Sequence, residues 1–199
     1  MTSLPALIAC ALLAYLAGSI PFGLILTKLA GHGDVRNIGS GNIGATNVLR
    51  TGNKKLAIAT LICDVLKGYA PVAIASAYGP DMAAAATLAA PLGHIFPIWL
   101  GFKGGKGVAT FGGALIGYAW PVAIATFATW GIIALVTRYS SLAAIIASAS
   151  APLYAFLFGD DLEKILVMLA MALLVIARHH TNIGRLIRGE ESKIKLKKS

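Results

Sequence analysis

Runs without a single charged residue dominate this chain: 4–27, 68–80, 82–102, 107–137, 139–159 and 165–177. A helix crosses the hydrocarbon core of a bilayer with about 20 apolar residues, and shorter ones are accommodated by tilt, snorkelling or local thinning. Runs 4–27, 82–102 and 139–159 meet that length directly. Residues 56–78 meet it if Asp64 and Lys67 face protein rather than lipid, and a last span near 161–178 borrows its charged ends. The 107–137 run has 31 residues, roughly 46 Å as one helix. Gly117 and Trp120-Pro121 inside it predict a break into two shorter helices. Hydrophobic residues make up 57% and charged residues 13%, with a mean hydropathy of +0.77, whereas soluble domains run about 45–50% and about 25%. A soluble fold, a disordered chain and a disulfide scaffold are therefore excluded.

The distribution of charge orients the spans. Lys and Arg number 17 against 8 Asp and Glu, and basic residues mark cytoplasmic loops. Seven spans with the N-terminus outside put Lys28, Arg36, Arg50, Lys54, Lys55, Lys103, Lys106, Arg138 and the basic tail on one side. Asp81, Asp160, Asp161 and Glu163 fall on the other with only Lys164. Counting 107–137 as one span would send Arg138 and the 7 basic residues between Arg178 and Lys198 outside, against that rule. The expectation is an all-α integral membrane protein with seven transmembrane helices, N-terminus outside and C-terminus cytoplasmic. It forms one domain over 1–199, with 189–199 a basic cytoplasmic tail suited to solvent or lipid headgroups. The excess charge follows topology and implies no nucleic-acid partner. The N-terminus lacks the basic leader of a signal peptide, so 4–27 reads as a retained first helix. Cys10 and Cys63 match neither a disulfide framework nor a zinc site.

Four polar patches are expected at or near the cytoplasmic side. In Gly39-Ser40-Gly41-Asn42-Ile43-Gly44-Ala45-Thr46-Asn47-Val48-Leu49-Arg50, glycines let successive N–H groups turn toward one oxyanion. Ser40 and Thr46 add donors, and Arg50 can grip a phosphate with two bonds. The bland alternative is an ordinary Gly/Asn turn. In Phe102-Lys103-Gly104-Gly105-Lys106-Gly107-Val108, two lysines among glycines open onto an apolar helix, the pattern of an anion site at a helix N-terminus. The Walker A spacing fails because Leu100 stands where its first Gly belongs, so nucleotide hydrolysis has no support. His94, just upstream, reads as a structural hydrogen-bonding histidine. In Arg178-His179-His180-Thr181-Asn182-Ile183-Gly184-Arg185, His179 and Asn182 share a face if the helix continues. No carboxylate stands at ligand spacing, so no metal is expected. Asp64 and Lys67, three residues apart, either pair with each other or serve a site. Ser141, after Arg138-Tyr139-Ser140, enters the same face.

Ser40-Gly41-Asn42-Ile43-Gly44-Ala45-Thr46-Asn47 with Arg50, Gly93-His94 with Phe102 to Thr110, and His179-x-x-Asn182-Ile183-x-Arg185-Leu186 resemble the three signature segments of the PlsY family. Those are bacterial membrane glycerol-3-phosphate acyltransferases that use acyl phosphate. Asp64-x-x-Lys67-Gly68 also looks like a family feature. The resemblance runs through essentially the whole chain. It implies a seven-helix fold in the bacterial inner membrane with its active site at the cytoplasmic face. It also implies acyl transfer from acyl phosphate to the sn-1 hydroxyl of glycerol 3-phosphate, giving lysophosphatidate and phosphate, with no cofactor. Ser40, Lys106, His179 and Asn182 are the expected catalytic residues. Ser40, Gly41, Asn42, Thr46, Asn47, Arg50, Lys67, Lys103, Gly104, Gly105, Lys106, Ser141, His179 and Asn182 are expected to bind substrate.

Acyl phosphate arrives activated, so the protein's task is positioning, charge stabilisation and a place for one proton. Four residues after His32, His94, His179 and His180 stand Arg36, Ile98, Ile183 and Gly184, so no His-x4-Asp dyad exists. No Ser-His-Asp arrangement or nucleophilic cysteine is evident. Two proton acceptors fit: His179 or a substrate phosphate oxygen. The rival from another class is a small organophosphate or phosphate transporter, which would place polar groups at the midplane and on both faces.

Overall fold

A computed structural model describes residues 2–194. Among them every regular element is helical: α1 (Leu4–Ser19), α2 (Phe22–Leu29), α3 (Ala45–Val48), α4 (Lys54–Ser76), α5 (Pro80–Ile95), α6 (Val108–Tyr118), α7 (Trp120–Thr137), α8 (Ser140–Leu157), α9 (Leu162–Arg178) and α10 (His180–Ile187). Five segments are long and apolar enough to cross a membrane: Leu4–Leu29, Lys54–Ser76, Pro80–Leu100, Trp120–Thr137 and Ser140–Leu157. The shorter α6, of 11 residues, takes the first part of the 107–137 run, and α9, of 17 residues, takes the 165–177 run. The chain divides into two compact units, Met1–Tyr118 and Ala119–Ser199.

The break expected inside 107–137 falls at Ala119, in extended backbone, with Pro121 in the first turn of α7. Proline is well placed there because its missing N–H belongs to a position that has no intrahelical partner. The first apolar run departs from expectation. Residues 4–27 were read as one helix, yet Ile20-Pro21 separates α1 from α2. Pro21 removes an N–H and pushes Ile20 into extended backbone, with φ −62° and ψ 117°.

Within the first unit, helices pack through small residues, as they must where lipid is as apolar as the helix surface. A Cβ on Gly18 would collide with the Ala90 carbonyl, and one on Gly93 with the Tyr15 carbonyl, so α1 and α5 touch backbone to backbone. Gly68 against Thr110 and Gly113 against Val65 lock α4 to α6 in the same way. Ala14, Val72, Ala75, Ala86, Ala90 and Ala114 fill the space between. Large side chains such as Leu12, Leu13, Ile62 and Ile74 point outward instead, the arrangement a lipid solvent favours.

In the second unit α7, α8 and α9 pack in sequence. Thr129 on α7 and Tyr154 on α8 share a hydroxyl–hydroxyl bond of 2.6 Å. Asp161 caps α9 by accepting from the Lys164 N–H at 2.8 Å. The last described residues return to the α7–α8 corner. There the Ile194 N–H donates to the Arg138 carbonyl at 2.7 Å, and Arg138 Nη2 donates back to the Ile194 carbonyl at 3.1 Å. The expected basic tail is thus described through Ile194, and Lys195–Ser199 lie outside the described residues.

Candidate active site

The first unit carries two of the candidate segments. The 35–50 segment is anchored from below by Val35, Ile43 and Val48, which pack with Leu24 of α2 and Ala57 of α4. Its knot is Asn47, 2% exposed. The Asn47 amide nitrogen donates to the carbonyls of Val35, Ile38 and Asn42 at 2.9, 2.9 and 2.8 Å. Its oxygen accepts from the Ser40 N–H at 3.0 Å and the Ser40 hydroxyl at 3.2 Å. Asn42 closes a local turn by accepting from the Gly44 N–H at 2.9 Å. Gly39 has φ +55°, and a Cβ there would strike the Arg50 guanidinium and Asn47 Oδ1. Only glycine admits both that conformation and the arginine lying across it. Ser40, Asn47 and Arg50 are therefore brought together, while Gly41 and Thr46 are exposed on the same segment. Asp34 lies upstream and accepts from Arg36; that hydrogen bond holds its carboxyl down at about 2.

The second segment follows α5. Gly101 and Phe102 both take left-handed backbone, with φ +57° and +63°. They turn the chain so that the Gly104 N–H reaches the Ile95 carbonyl at 3.2 Å and the Gly105 N–H reaches the His94 carbonyl at 3.0 Å. A Cβ on Gly105 would overlap His94 Nε2. Lys106 is half-buried just ahead of α6, and Lys103 is exposed. Beneath this turn lies a charged cluster: Asp64, Lys67 and His94 are 2%, 6% and 4% exposed. Asp64 Oδ1 lies 2.8 Å from Lys67 Nζ and 3.7 Å from His94 Nδ1. Lys67 also donates to the Ile20 carbonyl at 2.7 Å, at the Pro21 break, where the Phe22 N–H reaches the same oxygen at 3.1 Å. The Asp64–Lys67 pairing foreseen from spacing is present, and the break supplies a partner that spacing alone did not reveal.

The second unit gathers its own polar groups at the end of α9 and the start of α8. His179 Nδ1 lies 2.7 Å from the Val175 carbonyl. A carbonyl only accepts, so Nδ1 carries the hydrogen. Ser141 and Asn182 both donate to Glu191 Oε1, at 2.7 and 2.6 Å, and Arg185 Nε donates to Oε2 at 2.7 Å. Burial pushes the Glu191 carboxyl up, and the bonds from Ser141, Arg185 and Asn182 together outweigh it and hold it below its ordinary value of 4.5. Sequence reading passed over Glu191 as a site residue. Its signal was a carboxylate nine positions beyond Asn182 in a chain with few of them. Among the described residues, no group of three or more His, Cys, Asp and Glu side chains is placed to hold a metal ion.

A helical, membrane-type chain whose polar segments are rich in glycine, hydroxyl and cationic groups belongs to the class of membrane proteins that handle phosphate-bearing solutes. The particular family follows from comparison. Residues 8–189 match the family described as glycerol-3-phosphate acyltransferase, and the chain belongs to that family, of the PlsY type. It is 60% identical to the glycerol-3-phosphate acyltransferase of Brucella anthropi, covering 94% of this chain and 93% of the relative. It is 56% identical to that of Brucella ovis, with the same coverage. Two crystal structures of PlsY, an integral membrane glycerol 3-phosphate acyltransferase, are similar to it. The glycerol 3-phosphate form has a TM-score of 0.91 at 41% identity, and the lysophosphatidic acid form 0.89 at 40%. Each covers 96% of both chains.

Proposed function

We propose that this protein transfers a fatty acyl group from acyl phosphate to the sn-1 hydroxyl of glycerol 3-phosphate, giving lysophosphatidate and inorganic phosphate in phospholipid synthesis. The observation that carries the reading is the near full-length similarity to PlsY structures in glycerol 3-phosphate and lysophosphatidic acid forms. It is joined to the grouping of Ser40, Asn47 and Arg50 around Gly39. The charge pattern supports seven crossings in a bacterial inner membrane, the N-terminus outside and the site on the cytoplasmic face.

In this proposal Arg50, Lys103 and Lys106 hold phosphate over the Gly104–Gly105 turn, whose N–H groups are taken by the Ile95 and His94 carbonyls and whose glycines leave room for the ligand. Ser40, Gly41, Asn42 and Thr46 also bind substrate, with Asn47 keeping the shape of its loop. In the second unit Ser141, His179 and Asn182 are the residues proposed to act on substrate. Lys67 supports the site from below, its ammonium held by Asp64 and the Ile20 carbonyl. The glycerol oxygen attacks the acyl carbon and forms the new ester bond. The bond from that carbon to the phosphate oxygen breaks, and phosphate leaves with the electron pair. Ser40 and Lys106 stabilise the charge that develops on the oxygens. The hydroxyl proton passes to a phosphate oxygen. The Val175 carbonyl fixes the His179 ring with the hydrogen on Nδ1, and in this reading the ring orients the substrates while a phosphate oxygen takes the proton. No metal takes part.

The test is acyl transfer by the purified protein in detergent, with no compartment to cross. Acyl phosphate and glycerol 3-phosphate should yield lysophosphatidate, with acyl thioesters inert. Absence of product, with substrate uptake after reconstitution into vesicles, would establish the transporter instead.

A further inference from the structure

Asp64, Lys67 and His94 are too costly to be an accident of packing. Ionisable groups at membrane depth are costly and mark a paired or functional role, and an i, i+3 ion pair on α4 needs no third member from α5. Lys67 is spent on Asp64 and on the Ile20 carbonyl. The α4–α6 contact at Gly68 and Thr110 fixes the height at which Asp64 stands. From there Asp64 Oδ1 faces His94 Nδ1 at 3.7 Å, an electrostatic contact longer than a hydrogen bond. The other edge of the ring, Nε2, fills the space a Gly105 side chain would need. The His94 carbonyl meanwhile takes the Gly105 N–H. One residue thus holds the turn by its main chain and supports it by its ring.

We infer that Asp64 and His94 are positioning residues for the turn Gly104–Gly105–Lys106, a charged post inside the helical unit that sets where Lys106 meets a substrate phosphate. The inference rests on the proposal that this turn binds phosphate. Lys67 neutralises the post and ties it to the α1–α2 break, so three separate elements of the unit fix one loop.

The experiment is steady-state kinetics of the full chain in detergent, varying each phosphate substrate, with thermal unfolding measured alongside. Lys106→Ala identifies the substrate whose KM depends on the turn. Asp64→Asn and His94→Asn should raise that same KM about 10–100-fold, the usual reach of an outer supporting partner. The kcat should stay within about threefold, as expected when uniform binding is lost. His94→Gln, whose amide reaches the Nε2 position, should recover most of the loss. Asp64→Asn leaves Lys67 buried without its counter-ion, so the Asp64→Asn/Lys67→Met double variant is the control for folding. It should unfold near the wild-type temperature and keep the raised KM. The inference is overturned if Lys106→Ala raises a KM while folded Asp64 and His94 variants leave it unchanged, or if they lower only the unfolding temperature. If Lys106→Ala alters neither KM, phosphate binding by the turn fails, and the inference falls with it.

Discussion

Asn47 in the first unit and Glu191 in the second each tie a functional segment together, and they do so with opposite chemistry. Asn47 is a neutral amide that donates to three carbonyls and accepts from Ser40. Glu191 is a carboxylate that only accepts, drawing Ser141, Asn182 and Arg185 onto one group. The first knot binds backbone within thirteen residues and is indifferent to pH. The second joins side chains from α8, α10 and the segment beyond, and it titrates. A glycine-rich loop needs something to fix its backbone, which an amide provides. A cluster of donors needs a counter-charge, which a carboxylate provides.

The comparison breaks most visibly at Asn47. Asn47→Asp exchanges the amide donor for an anion facing three carbonyls, and each buried polar group left unsatisfied costs about 1–3 kcal/mol. Loss of a folded, extractable protein is expected, read from monodispersity in detergent. Recovery of wild-type unfolding temperature and activity would contradict the knot. Next comes Glu191→Ala, which strands Ser141, Asn182 and Arg185 and should cost about 1–3 kcal/mol. Glu191→Gln, which keeps an acceptor, should cost less, both measured by thermal unfolding.

The pH arm is smaller still. Glu191 sits below its ordinary value of 4.5 in the folded chain. Its contribution is therefore complete above that value and fades as the pH falls through its own, lower, one. Unfolding temperature should drop with acidification below pH ~4.5, and Glu191→Gln should flatten that slope. An unchanged slope in the variant would assign the acid sensitivity elsewhere. The smallest effect concerns metals: chelator should leave turnover unaltered, since cationic side chains can neutralise phosphate directly. Abolished turnover restored by one divalent ion would reverse that.

Much of this was legible in the sequence, for reasons that differ along the chain. Apolar runs and charge asymmetry located the helices, because a bilayer restricts length and composition so strongly. The break near Ala119 was visible because Pro121 and the basic Arg138 argued for it independently. The Pro21 break was not, since a proline in an apolar run is tolerated wherever a neighbour supports the backbone at the break, and that neighbour, Lys67, lies 47 residues away. Motif residues marked the segments that bear function without showing what each side chain does. The sequence marks Asn47 as a candidate substrate contact without showing that its amide also ties its own loop. Glu191 escaped notice because its bond to Ser141 spans 50 positions, and periodicity carries no trace of such a pairing.

His179 sharpens the chemical side. With Nδ1 held by Val175, a His179→Gln variant should retain measurable acyl transfer at saturating substrate. A fall of about 10⁴ in kcat with binding intact, the upper reach of general-base catalysis, would make it the base.

In the proposed reaction the acyl group, not phosphorus, is transferred. The direct measurement uses acyl phosphate labelled in its phosphate, incubated with glycerol 3-phosphate and the purified protein. All label should appear in inorganic phosphate, in a one-to-one ratio with unlabelled lysophosphatidate. Label in the lipid product, or phosphate release without lipid, would contradict the account.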